Sequence, residues 1–207
     1  MQGSSVLSMS SLSRRAAFGH AAPLGAVLGL GRGLRHVAAQ DSATEMANHP
    51  MVGTWLGGRT PDSLGTTRFG PDGSMTNTAG VIGQTPEGAL ALNSLDLGVW
   101  EPVSARGIHF TFTETNYDAT GKVLGTTTVD GYPVASEDGD SFWDDGTNVT
   151  ITIRDPSGAV TQVLGPGLTD AGIGGVRMRP GKPGYDEMLA MLTAQAAATQ
   201  EPGTPTI

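Results

Sequence analysis

The chain contains no cysteine, so no disulfide can staple it, no thiolate can act as nucleophile, and its stability has to come from packing alone. Aromatic residues are scarce, at three Trp, three Tyr and five Phe, while glycine is abundant at 31. A core drawn from that mixture is expected to leave space inside. Histidine is scarce too: beyond residue 39 there are only His49 and His109, with no His-x-His spacing, which argues against a zinc site, and no metal is expected. Basic residues are few, 12 Lys and Arg against 20 Asp and Glu, for a net charge of −8. Such a surface repels phosphate backbones and anionic lipid, which argues against nucleic-acid partners and polybasic membrane attachment. Beyond the first 39 residues there is no apolar run of membrane-spanning length. A Gly-x-Ser-x-Gly elbow and a phosphate-cradling loop are both missing, so hydrolase and kinase chemistry have no visible support and no cofactor is called for.

What is present is period-two patterning. From Met51 to Arg179, β-branched and aromatic runs alternate with Pro71-Asp72-Gly73, Asp118-Ala119-Thr120-Gly121, Asp138-Gly139, Asp144-Asp145-Gly146 and Asp155-Pro156-Ser157-Gly158, residues suited to reversing a chain. This predicts strands near 51–59, 64–70, 74–81, 94–103, 107–117, 122–134, 140–144, 147–155, 159–164 and 173–179. The fold class is therefore all-β, an antiparallel meander closed into an up-and-down barrel of about 8–10 strands, because closure removes exposed edges. Between Pro183 and Thr199 the period changes: Tyr185, Met188, Leu189 and Leu192 recur at helical spacing, with Asp186 and Glu187 in the first turn, predicting one C-terminal helix over 183–199. Residues 200–207 form a Pro- and Gly-containing tail read as disordered. Val81 to Ser94 is too long for a tight hairpin and carries Leu90 and Leu92, so it is either a surface loop pinned by leucines or a lid over a barrel mouth.

The leader has its own signature. Ser13-Arg14-Arg15-Ala16-Ala17-Phe18 precedes a small, apolar stretch from Ala21 to Leu34, and Val37-Ala38-Ala39 supplies small residues for a peptidase; together these resemble a twin-arginine export signal cleaved after Ala39. That resemblance implies a protein folded before export and delivered to the periplasm or beyond. Removing the leader's four arginines and no acids leaves eight basic residues against 20, a charge of −12 on 168 residues, which suits one domain over 40–199.

A second resemblance spans about residues 50–180. Gly53-Thr54-Trp55 opens the first strand and Gly175-Val176-Arg177 lies in the last, a combination similar to lipocalin and calycin barrels, in which an arginine covers the indole of a Gly-x-Trp and closes one end. Leu97-Gly98-Val99-Trp100-Glu101-Pro102 and Asp138-Gly139-Asp140-Ser141-Phe142 look like small exported bacterial lipocalin-like proteins. The resemblance implies an interior that holds one apolar molecule.

Strand parity assigns the lining. Ile108, Phe110 and Phe112 share one face, read as interior, and His109, Thr111 and Thr113 the other. Leu95, Leu97 and Val99 are read as the matching set, with Val99 opposite Phe110 and Leu97 opposite Phe112; Val129 and Ile151 complete the expected ligand-binding wall. The same parity puts Glu101 and Glu114 inside, at opposite ends and about 20 Å apart. Each reads first as a solvated rim residue; if the protein is an enzyme, Glu114, Asn116 and Tyr117 are the candidate catalytic residues, because a desolvated carboxyl can serve as acid or base. Asp138, Asp140, Asp144 and Asp145 lack calcium-loop spacing and read as turn residues. Three functions remain open: binding of a small apolar molecule, foremost; a cyclase or isomerase of the allene oxide cyclase or dirigent kind; and an interaction barrel with a packed interior.

Overall fold

The computed structural model describes residues 44–78, 80, 82–84, 90–168 and 172–199. The expected leader and tail, and part of the expected lid, lie outside the described residues. The described residues form thirteen strands: β1 (Gly53–Gly58), β2 (Gly65–Phe69), β3 (Ser74–Asn77), β4 (Ile82–Gln84), β5 (Leu90–Asn93), β6 (Asp96–Pro102), β7 (Ile108–Asp118), β8 (Val123–Gly131), β9 (Val134–Ala135), β10 (Ser141–Asp144), β11 (Thr150–Arg154), β12 (Val160–Leu164) and β13 (Ile173–Arg177), followed by helix α1 (Tyr185–Thr199). They make one antiparallel sheet in the order β12-β11-β8-β7-β6-β3-β2-β1-β13-β10-β9, with β4 and β5 as a side hairpin on β7.

The sheet curls into an open half-barrel, and the expected full closure does not occur. The reason lies at Pro133. The bridge Gly107↔Val134 keeps the offset of the pair Phe110↔Gly131, so β9 continues β8 along β7. On its other edge, however, β8 pairs with β11 while β9 pairs with β10. One strand thus serves two partners in succession. Its short second half brings the sheet back on itself through Ile108 N–H to Pro133 O at 3.1 Å and Ala135 N–H to Arg106 O at 2.9 Å; its long first half carries β11 and β12 away as a free wing.

The joined end is solid. Met51, Trp55, Phe69, Met75, Trp100, Ile108, Ala135 and Phe142 form its core, with Met46, Val52, Phe110 and Phe112 packed on them. The abundant glycine does not leave the expected space there. Gly98 pairs with Phe112, Gly131 with Phe110 and Gly175 with Phe142. A methyl on Gly131 or Gly175 would meet the partner ring at 2.5 and 2.3 Å, so there a ring lies over bare backbone; on Gly98 it would meet Thr111 O at 2.3 Å and Phe112 Cβ at 2.7 Å, where the strands approach too closely for a side chain.

Trp55 and Arg177 are direct partners on β1 and β13, and the guanidinium carbon stands 4.2 Å from the indole centroid. Arg177 Nε donates to Gly139 O at 2.7 Å, one terminal nitrogen donates to Val52 O at 2.9 Å and the other to Pro50 O. The side chain therefore ties the segment before β1 to the β9–β10 turn while capping the floor. His49 plugs the same end: its Nδ1 accepts from Met51 N–H at 3.2 Å, and its ring lies 5.7 Å from that of Trp100. Helix α1 packs outside, where Met188 and Leu192 meet Val176 and Leu56.

Candidate functional site

Alternation and register together build a row of side chains across the concave face. Trp55 pairs with Thr67, Thr67 with Asn77, Asn77 with Asp96, and on the far side Glu114 with Thr127 and Thr127 with Ile153. Leu97↔Thr113 and Gly98↔Phe112 set the offset between β6 and β7, and one step further it sets Asp96 against Glu114. Five adjacent strands thus present Thr67, Asn77, Asp96, Glu114 and Thr127 in line. The next row toward the floor is apolar: Phe69, Met75, Gly98, Phe112, Val129 and Ile151.

The polar row is hydrogen-bonded along its length. Thr67 Oγ1 donates to Asn77 Oδ1 at 2.8 Å, and Asn77 Nδ2 donates to Asp96 Oδ2 at 2.6 Å. Asn116 Nδ2 donates to Glu114 Oε1 at 3.2 Å and to Asn93 Oδ1 at 3.1 Å, while Thr127 Oγ1 donates to Asn116 Oδ1 at 3.1 Å. Asp96 is 1% exposed, and its Oδ1 finds no donor. Burial raises the pKa of Asp96. Glu114, half-buried, is pushed up to about 7, first by desolvation and then by the neighbouring Asp96 carboxylate, against the stabilising contacts of Asn116 and Thr127. Two carboxyls this close cannot both ionise cheaply. The pair therefore favours holding one proton between the two carboxyls, where it can also serve the orphaned Asp96 oxygen.

This arrangement corrects several expectations. Trp100, Gly98 and Asp96 face inward on β6, while Leu97 and Val99 face outward, 61% and 65% exposed. Both were expected on the ligand-binding wall. Val99 pairs with Thr111 and Leu97 with Thr113, one residue away from the expected register. The cause is a bulge: Asn93 pairs with Asn116, then Ser94 N–H and Oγ both bond to Thr115, and the offset changes before β6. Glu101 turns outward with the rest of its parity and lies 3.6 Å from His109 on that face. His109 stands outside as expected, stacked 4.6 Å from Tyr132 and 3.4 Å from Asp130. Phe110, Phe112, Val129, Ile151, Glu114 and Asn116 lie on the concave side. Tyr117 pairs with Leu92 and alternates onto the other face. The expected lid is in part strand, since β4 and β5 pair through Ile82↔Leu92 and Gln84↔Leu90.

Asp96, Asn77 and Thr67 were missed in the sequence. The available signal was Asp96-x-Gly98-x-Trp100: a tryptophan sharing parity with a glycine that can face a ring. Two clefts of about 370 and 500 Å³ lie on the outer surface beside α1, one lined by Arg177, Arg179 and Glu187, the other by Tyr132, Trp143 and Met191, and neither includes the carboxyl row. Among the described residues no helix is long and apolar enough to cross a membrane. Compared with family models, with curated proteins and with solved structures, the chain finds no match in any of the three.

Proposed function

We propose that the protein binds one small, mainly apolar molecule on the concave face of the half-barrel, its body over Phe112, Val129 and Ile151 and its polar end at Asp96 and Glu114. The observation that carries this reading is the adjacency of an apolar row and a hydrogen-bonded polar row on one inward surface, the mixture that small-molecule sites use for affinity and orientation. The test is a panel of fatty acids, terpenoids and aromatic dyes titrated against the full chain and two variants. Phe112→Ala should weaken capture about tenfold, while Leu97→Ala, on the outer face, should leave it unchanged. Failure of every compound, or equal losses from both substitutions, overturns the reading.

A second reading, an isomerase or cyclase acting on such a molecule, is favoured by the setting of Glu114, whose carboxyl is pushed up to about 7 by burial and by the neighbouring Asp96, toward the range where an acid–base group is most effective. Glu114→Gln would then abolish turnover. The lipocalin-like kinship and the twin-arginine leader belong to the same proposal, in which the protein works outside the cytoplasm. A mature amino terminus at Gln40 in the exported fraction supports that placement; a cytoplasmic product beginning at Met1 refutes it.

A further inference from the structure

We propose that the molecule held at this site is an organic cation, an amine with an apolar body whose ammonium group is received by Asp96 and Glu114. The inference rests on the preceding reading of the concave face as a binding surface and narrows its ligand class.

The argument is a count of donors and acceptors. Each donor that the row directs at its neighbours is already committed: the Thr67 hydroxyl to Asn77, the Asn77 amide to Asp96, the Thr127 hydroxyl to Asn116, and the two hydrogens of the Asn116 amide to Asn93 and Glu114. Acceptors remain in excess. Asp96 Oδ1 is buried with no partner, and Glu114 draws only on Asn116 and on the Thr127 hydroxyl, which already serves Asn116. The side chains that hydrogen-bond the two carboxyls, Asn77, Asn116 and Thr127, are all uncharged. A buried carboxylate among neutral groups is costly until a counter-charge arrives. An ammonium group brings both missing quantities, positive charge and several N–H donors, to the place where the shared proton now stands. Glu114 is half-buried and long enough to turn toward the mouth and admit it, whereas Asp96 stays fixed by Asn77. An anion would be repelled by the pair. A neutral alcohol supplies a single donor and no charge. The apolar row of Phe112, Val129 and Ile151 lies directly beneath, suited to a hydrocarbon or aryl body.

The experiment is calorimetric titration of the full chain at about pH 7.5 with three probes of one shape: 2-phenylethylamine, 2-phenylethanol and 3-phenylpropanoate. The amine should bind at least about tenfold more tightly than the alcohol, and the acid should bind least, because hydrogen bonds to charged groups exceed neutral ones by that margin. Asp96→Asn and Glu114→Gln should each lower amine affinity about tenfold and leave the alcohol within about threefold. Glu114 is less deeply buried than Asp96, so its variant keeps the test decisive if Asp96→Asn fails to fold. Alcohol and amine binding equally, or amine affinity unchanged in Glu114→Gln, overturns the cation inference and leaves the pocket standing. If none of the three probes binds and the wider panel also fails, the pocket reading falls with it.

Discussion

Glu114→Gln isolates the electrostatic cost of the carboxyl pair, since it keeps the shape of the side chain and removes its titration. The folded-state pKa of Glu114 is raised from 4.5 to about 7. A carboxyl raised in this way contributes stability that is fully present below its unfolded value and is lost as pH rises through the folded value, because above it the folded state must hold a charge it disfavours. The window is therefore between 4.5 and about 7. A shift of this size would correspond to about 3 kcal/mol at full value, and partial exposure to solvent reduces it to about 1–2 kcal/mol. The wild-type protein should lose that much relative to Glu114→Gln between about pH 5 and about pH 8.5; groups remote from the pair cancel in the difference, while Asp96, whose titration is tied to that of Glu114, stays part of it. The amide also offers Asp96 Oδ1 a permanent donor, so the variant should be the more stable of the two at the higher pH. Urea unfolding followed by tryptophan fluorescence suits the measurement, because Trp55 and Trp100 are both buried. A stability difference that is flat with pH, or that grows in favour of the wild type as pH rises, would refute the reasoning.

Two further outcomes test the floor of the half-barrel. Trp55→Ala removes a fully buried ring and the platform under Arg177; equilibrium unfolding should show a loss of about 3–5 kcal/mol, and parent-like stability would mean the arginine–indole contact does not hold the floor. Gly131→Ala places a methyl 2.5 Å from Phe110 Cζ, so it should cost about 1–3 kcal/mol, and pairing it with Phe110→Leu should recover part of that loss; strict additivity of the two would show that the ring does not occupy the glycine's space.

Much of the architecture was legible because it rests on local signals. The ten expected strands correspond to β1, β2, β3, β6, β7, β8, β10, β11, β12 and β13, and the helical period after Pro183 corresponds to α1. The inward face of β7 was legible as well, since Phe110 and Phe112 outweigh the threonines between them. Failure came where local hydrophobicity and tertiary pairing disagree. On β6 the apolar set Leu95, Leu97 and Val99 is the outer one, and the inner set Asp96, Gly98 and Trp100 looks too polar to be core. Only the cross-strand partner resolves it, for Gly98 pairs with the inward Phe112 so closely that a side chain there would strike Thr111 O and Phe112 Cβ. The candidate site inherited that fault. Glu114 and Asn116 were found from their own strand, but Asp96 belongs to the neighbouring one, and a one-residue bulge at Ser94 separates a rim carboxylate from a buried pair. The open barrel was hidden for a related reason, since no local pattern announces that β8 and β9 are one strand with two partners.

The pairing of β1 with β13 also governs the order in which the chain can be finished. Trp55 meets Arg177, and Arg177 reaches back to the carbonyls of Pro50 and Val52, 127 and 125 residues earlier. Nothing made before β13 can substitute for that contact, so a nascent chain leaving the ribosome holds its first strand unpaired on one edge and its central tryptophan uncovered until almost all of the sequence has emerged. Folding is consequently a property of the whole chain, dominated by loop closure over a long separation and slow for that reason. A product truncated before Arg177 has most of its strands but no floor, and exposes the apolar surface from which aggregation begins.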